Sequence, residues 1–267
     1  MKTTEGIELT DVQSVYDGPE GRLWELVMGE QIHIGGFASS MDLAEKADLA
    51  PGLRGVDLCC CTGAGTRFLV RFRQAAHMIG VDATESMIQL GRQRCQDEHL
   101  ADRIELIQAD ACETHLPEGQ ADFVWGEDAW CYVVDKPALI AEAARLVRPG
   151  GTIAFTDWLE GPAGMDETQA QRLMKFMKFP NIQDLAGYSK LLTDNGCEVV
   201  LAEHTGRFAP HVDLYLNMLN MQLTYDALKI IDFDMDLMGV MAGEMQFMRQ
   251  LAHEGRIEQG LIVARKK

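Results

Sequence analysis

Between residues 56 and 82 the chain runs from a short apolar strand, Val56-Asp57-Leu58, into a loop of small residues, Cys59-Cys60-Cys61-Thr62-Gly63-Ala64-Gly65. It then continues through a helix to a second strand, Met78 to Val81. That strand ends in Asp82, 25 positions after Asp57. The order describes a nucleoside-binding βαβ unit. Small loop residues let the backbone approach a ligand closely, and a carboxylate closing the second strand is placed to accept hydrogen bonds from two ribose hydroxyls. Cysteine stands at positions 59 and 61, where glycine is expected.

The flanking pattern extends this unit. Strands are predicted at 55–59, 77–81, 103–108, 121–126 and 151–156, with helices at 65–73, 84–99 and 136–147 between them, and Asp11 to Asp48 reads as an N-terminal helical layer. Short Val/Ile/Leu/Phe strands alternating with helices argue for an α/β fold with a doubly wound, mostly parallel sheet, in which ligands sit outside the carboxyl ends of the strands. From Asp166 the character changes. Met-rich helical patterns occupy 167–178, 184–195, 212–227 and 232–252, with strands at 198–204 and 260–265. The expected organisation is an N-terminal helical layer at 1–50 and an α/β core at 51–204 that includes the helical segment 166–195. A helical lid insertion at 205–257 and a final core strand at 258–267 complete it. Met218, Met221, Met235, Met238, Met241, Met245 and Met248 recur at near-helical spacing and read as core packing.

Composition narrows the class. A formal charge of −17, from 24 basic and 41 acidic residues, repels a phosphate backbone and argues against nucleic acid as a partner. The start of the chain is polar, and no run of about 18 apolar residues offers a membrane span. These features lead to the expectation of a cytoplasmic protein without a membrane partner. Seven cysteines, three of them consecutive, match neither a disulfide framework nor a zinc pattern with two ligand pairs, and neighbouring strand side chains point to opposite faces. They read as small apolar fillers.

With these residues in view the chain resembles the class I S-adenosylmethionine-dependent methyltransferases. Asp57 to Gly65 looks like the family's first motif, Gly80-Val81-Asp82 like its second, and Gln108-Ala109-Asp110-Ala111 like the segment that reads the adenine amino group. Arg148-Pro149-Gly150-Gly151 is similar to the turn before the fifth strand. The resemblance implies a seven-stranded, Rossmann-like sheet with S-adenosyl-L-methionine as cofactor, held by Asp57, Cys59, Gly63, Asp82, Ala83, Met87, Asp110, Ala111 and Glu127. Closer likeness to sarcosine/dimethylglycine N-methyltransferases lies in Ile32-His33-Ile34-Gly35, Thr66 to Arg71, Phe123 to Trp130 and the stretch from Glu254 to Lys266. Tyr132 stands where that group often has histidine.

The implied chemistry is an in-line methyl transfer to a small-molecule acceptor, most simply an amine nitrogen, with no metal. The protein positions the nucleophile and excludes water, and an acceptor group beside the amine helps to remove its proton. Tyr132, Asp128 and His33 are the candidate catalytic residues. Trp130, Trp158 and Tyr188 are the candidate substrate-binding aromatics, since a methylated ammonium is stabilised over ring faces. Trp125 is read as core. Arg172, Lys175, Lys178, Lys190 and Arg207 are candidate holders of an acceptor carboxylate, or a solvated face. The helices from 212 to 252 are expected to cover the acceptor. Methyl transfer to a thiol or carbon, a nicotinamide-dependent oxidoreductase and a silent binding protein are the rival readings. The oligomeric state is left open, a homodimer being one option.

Overall fold

The computed structural model describes residues 1–267. In chain order the elements are β1 (Lys2–Thr3), α1 (Leu9–Asp17), α2 (Pro19–Met28), α3 (Gly36–Lys46), β2 (Arg54–Leu58), α4 (Ala64–Phe72), β3 (His77–Asp82), α5 (Glu85–Asp97), β4 (Ile104–Gln108) and β5 (Ala121–Glu127). A 3-10 turn, Trp130–Tyr132, leads into α6 (Lys136–Leu146), β6 (Val147–Glu160), α7 (Glu167–Met177), β7 (Asn181–Ile182), α8 (Leu185–Asp194) and β8 (Cys197–His204). The chain closes with α9 (Phe208–Asn220), α10 (Thr224–Ile230), α11 (Met235–His253) and β9 (Ile257–Lys266).

Seven strands form one sheet in the order β4-β3-β2-β5-β6-β9-β8. β2 to β6 pair in parallel, whereas β9 runs antiparallel to both of its neighbours. This is the doubly wound, mostly parallel sheet that the alternation of elements implies and the seven-stranded Rossmann-like sheet that the resemblance implies. The two-residue side-chain period of a strand sorts its residues between two apolar layers. On β5, Val124 joins the layer under α6 and α8 with Leu139, Ile140 and Leu192, while Phe123 and Trp125 join the layer under α3, α4 and α5 with Leu43, Leu69 and Ile88. On β9, Ile262 and Ala264 face the first layer, and Leu261 and Val263 the second. Both faces are covered, which explains why these strands read as nearly continuous apolar runs.

Two features of the chain ends depart from the sequence reading. The first residues do not belong only to a helical layer, because Lys2–Thr3 pairs antiparallel with Asn181–Ile182 in a separate two-stranded sheet. The segment 205–257 folds as three helices rather than two, with breaks at Met221 and Asp232–Phe233. It packs against α7, β9 and α2, with Met245 and Met248 buried in the core these helices share with Trp158, Phe179 and Phe208. Met221 and Met235 are exposed, so the methionine stripe is only partly core. No helix is long and apolar enough to cross a membrane.

Close packing at the end of β5 depends on Gly126. A β-carbon there would come within 2.7 Å of Trp130 Cε2, and the indole occupies the slot that the missing side chain leaves. Gly126→Ala is therefore expected to destabilise the fold by roughly 1–3 kcal/mol through overpacking. Urea unfolding followed by tryptophan fluorescence measures this, and an unchanged midpoint would show that the slot is not filled as described.

Candidate functional site

A cavity of about 360 Å³ opens at the carboxyl ends of β2, β3, β4 and β5. Its floor is the loop after β2. Cys59, Cys61 and Gly63 all have left-handed backbone, at φ 63°, 49° and 72°. This alternation turns the loop tightly enough for the Cys61 N–H to donate to Asp82 Oδ2 at 2.8 Å, while the Cys60 N–H donates to the Val81 carbonyl at 2.9 Å. The cysteines therefore hold the left-handed conformation that glycine adopts without steric penalty. All seven cysteines are free thiols, and burial pushes those of Cys59, Cys60 and Cys61 well up.

The carboxylates around this loop have distinct surroundings. Asp82 accepts from the Cys61 N–H and, at 2.9 Å, from the Thr84 N–H, and burial raises its pKa. Asp57 accepts from Thr66 Oγ1 at 2.7 Å. Burial first, and then the negative charges of Glu127 and Asp82, push Asp57 up to about 8. Asp110 accepts from the Cys112 N–H at 2.8 Å and lines the cavity beside Ala111. Ala83 and Met87 also form its wall, and the Ala83 carbonyl accepts from Gln13 Nε2 of α1 at 2.9 Å.

Gly63 departs from the sequence reading. It caps α4 from behind, where a β-carbon would meet Leu106 at 3.2 Å, so its contribution is to backbone geometry and not to the wall. Gly65 is the close-approach glycine. A β-carbon there would come within 2.8 Å of Glu127 Oε2 and 3.4 Å of Asp57 Oδ2. A small-residue cradle with carboxylates at the strand ends fits the nucleoside and amino-acid parts of S-adenosylmethionine, which combine ribose hydroxyls, an adenine amino group and an ammonium.

The other half of the cavity is built by residues distant in sequence. His33, Asp128 and Tyr132 all line it, together with Glu127. His33 Nε2 lies 3.2 Å from Ser40 Oγ and 3.4 Å from Glu127 Oε1, and its Nδ1 is buried without a partner. Ser40 in turn donates to Glu127 Oε1 at 2.6 Å. The Asp128 carboxylate is occupied structurally. It accepts from the Ile34 N–H at 2.8 Å and from Gln259 Nε2 at 2.9 Å, and burial raises its pKa. Tyr132 meets Tyr16 of α1 edge-to-face at 5.9 Å, and burial raises both phenols, keeping them protonated.

The turn that carries Tyr132 is clamped from below. Lys136 Nζ donates to the Val133 carbonyl at 2.6 Å and the Cys131 carbonyl at 3.3 Å. Asp157 accepts from the Cys131 N–H at 2.9 Å and from the Tyr188 hydroxyl at 2.6 Å. Burial lowers the Lys136 pKa and, opposed by the neighbouring ammonium, lifts Asp157 to about 6.

Trp130, Trp158 and Tyr188 do not reach the cavity, which corrects their reading as acceptor-binding rings. Asp128 takes a left-handed turn, φ 49°, that sends the chain back beneath β5. Trp130 is fully buried there, stacks on Phe155 at 4.1 Å and donates from Nε1 to the Leu58 carbonyl at 3.2 Å. Trp158 packs edge-on against Phe208 at 4.7 Å in the helical core, and Tyr188 is spent on Asp157. Trp125 is core, as read.

The cover is corrected as well. The walls opposite the strand ends come from α1 and residues 30–33 of the N-terminal segment, and not from 205–257, which packs behind them. Leu9, Val12 and Tyr16 share one face of α1 at helical spacing, a periodic signal from which the sequence reading drew only a helix. Of the lid cations, Arg172 pairs with Glu244 at 3.0 Å, Lys190 with Asp194 at 2.6 Å and Arg207 with Asp42. Those three, Lys175 and Lys178 all stand outside the cavity wall.

A family model described as a methyltransferase domain matches residues 56–155. A dimethylglycine N-methyltransferase of Parasynechococcus marenigrum (strain WH8102) is 30% identical over 207 residues, covering 71% of this chain and 72% of that protein. Phosphoethanolamine N-methyltransferase 1 of Arabidopsis thaliana is 26% identical over 183 residues, 67% of this chain, and the chain spans only 36% of that protein's length. The solved structure of Haemonchus contortus phosphoethanolamine N-methyltransferase 2 in complex with S-adenosyl-L-methionine superposes with a TM-score of 0.82 at 18% identity, over 98% of this chain and 60% of that one. That last likeness is one of fold.

Two measurements check the electrostatics and the strain of the loop. The Asp57 pKa, about 8 when folded, lies above the ordinary 3.8, so the folded state binds the extra proton between these values. The stability this carboxyl contributes is full at low pH and is lost as pH rises through that window. Asp57→Asn should therefore gain unfolding free energy relative to the parent as pH is raised from about 4 to about 8, and a pH-independent difference would refute the assignment. Cys61→Gly should stabilise the ligand-free protein by up to about 1 kcal/mol, left-handed strain being relieved against added backbone entropy. A lower urea midpoint would contradict it.

Proposed function

The chain belongs to the class I S-adenosylmethionine-dependent methyltransferases, and from that membership we propose that it transfers a methyl group from S-adenosylmethionine to an amine nitrogen of a small molecule. The observation that carries this reading is the continuity of one cavity. The nucleoside cradle of Asp82, Asp110 and the cysteine loop opens directly onto Tyr16, His33 and Tyr132. When bound, the cofactor would supply a methyl already activated on a sulfonium, open to displacement by the acceptor's lone pair with the electrons of the carbon–sulfur bond left on sulfur. In this reading Asp82 holds the ribose, Asp57 and Glu127 take the cofactor's ammonium, and Asp110 reads the adenine amino group.

On the acceptor side the work is positional. The protonated phenols of Tyr16 and Tyr132 narrow the cavity from opposite elements and exclude water from the reacting atoms. The Tyr132 hydroxyl orients the nitrogen, and the ring faces favour the cationic product. His33, in contact with Glu127 and Ser40, is the group placed to accept a proton from a primary or secondary amine. The N-methyltransferases named among the relatives support nitrogen as the acceptor atom.

Incubation with methyl-labelled cofactor and a panel of amines, phenols and thiols, with products identified by mass spectrometry, tests the reading. Label on nitrogen is expected, and label confined to oxygen or sulfur would overturn it. Tyr132→Phe should lower turnover roughly tenfold or more while leaving cofactor affinity within about twofold, since only a hydroxyl on the acceptor side is lost. A matched fall in cofactor affinity would move Tyr132 out of the acceptor site.

A further inference from the structure

Every charged side chain on the cavity wall, His33 aside, is a carboxylate. Asp57, Asp82, Asp110 and Glu127 are given to the cofactor in the reading above; beyond these four, Asp128 follows β5, Glu30 lies in the loop after α2 and Asp135 caps α6. The nearby cations are already committed. Arg67, buried, pairs with Glu30, with Glu98 at 2.8 Å and with the Thr62 carbonyl at 2.6 Å, and Arg94 pairs with Glu25. Leu9, Val12, Ile32 and Val133 add hydrocarbon to the cover, beside the neutral amide of Gln31.

An acceptor carboxylate or phosphate held here would lie among the carboxylates of Glu127, Asp128 and Asp135 with no lysine or arginine on the wall to pair with it. Burying an unpaired charge under those conditions is strongly unfavourable. An ammonium with hydrocarbon substituents meets the opposite situation. Carboxylates attract it, the Tyr16 and Tyr132 rings stabilise it, and α1 covers its apolar groups.

Resting on the amine reading above, we propose that the acceptor is an apolar amine without an anionic group, and not a zwitterion such as dimethylglycine or a phosphorylated ethanolamine. The specificity lies in the sign of the charge on the walls. An amino acid or phosphoester acceptor is excluded by like charge, and a hydrocarbon amine is admitted by complementary charge and burial of its substituents.

An isosteric pair tests this with the full-length chain. Dimethylbutylamine and dimethylaminobutyrate place the same tertiary nitrogen on the same carbon chain and differ only in a terminal methyl against a carboxylate. Dimethylglycine, phosphoethanolamine and a simple phenol complete the panel. Two readouts are taken: the initial rate of S-adenosylhomocysteine formation, and calorimetric binding of each acceptor to the complex with S-adenosylhomocysteine. The expected result is that dimethylbutylamine exceeds its carboxylate isostere by at least about tenfold in kcat/KM and in affinity. Equal or better use of dimethylaminobutyrate, dimethylglycine or phosphoethanolamine overturns the proposed acceptor class while leaving nitrogen methylation standing. Methylation of the phenol alone overturns both readings. Without turnover on any member, the calorimetric order decides: preference for the carboxylate isostere, or binding of neither amine, overturns the proposal.

Discussion

The buried carboxylate of Asp128 is the joint on which the arrangement of the site depends. Its own N–H donates to the Thr156 carbonyl at 2.8 Å, which fixes the end of β5 against β6. Its side chain grips the Ile34 N–H from the N-terminal segment and Gln259 Nε2 from the last strand. Gln259 Nε2 also donates to the Ile34 carbonyl at 3.0 Å, so that three distant parts of the chain meet in one hydrogen-bonded knot. A buried carboxylate is stable only when its lone pairs are satisfied, and this requirement holds the cover at a fixed height over the strand ends. The left-handed turn at the same residue sends Trp130 under the sheet and brings Tyr132 to the cavity.

Around that joint the molecule separates two tasks. The cradle half is a matter of backbone: left-handed cysteines, a close-approach glycine and a carboxylate that accepts loop N–H groups. The acceptor half is a matter of side chains from α1, residues 30–33 and the turn after β5. Ion pairs between Arg67 and Glu30 and between Arg94 and Glu25 fasten the second half to α4 and α5 of the first. Helices α9 and α10 pack on α2 from outside, and α11 packs on α9, α7 and β9.

Much of the cradle was legible because its determinants are local. A strand, a small-residue loop and a strand-end carboxylate lie within a short span, and their geometry follows from side-chain period and turn chemistry. Even there, Gly63 was read as wall when it is a cap, because a left-handed residue and a close-approach residue look alike in sequence. The aromatic reading failed for a different reason. Trp130 follows β5 as a pocket residue does, but one backbone angle at Asp128 turns it under the sheet to bond Leu58, while Trp158 lies within the longer β6 and Tyr188 lies on α8, bonded to Asp157.

The sequence by itself determined the alternation of layers, the mostly parallel sheet and the carboxylates at the strand ends, since periodicity and local turn chemistry specify each of these without reference to distant partners, whereas the reversal of β9 does not follow from them. Only the tertiary structure decided what covers the cavity. Tyr16 reaches Tyr132, and His33 reaches Glu127, across sequence separations that no local pattern records. The sign of charge facing an acceptor was likewise decided by folding, because cations such as Arg67 and Arg94 become unavailable once burial obliges them to pair.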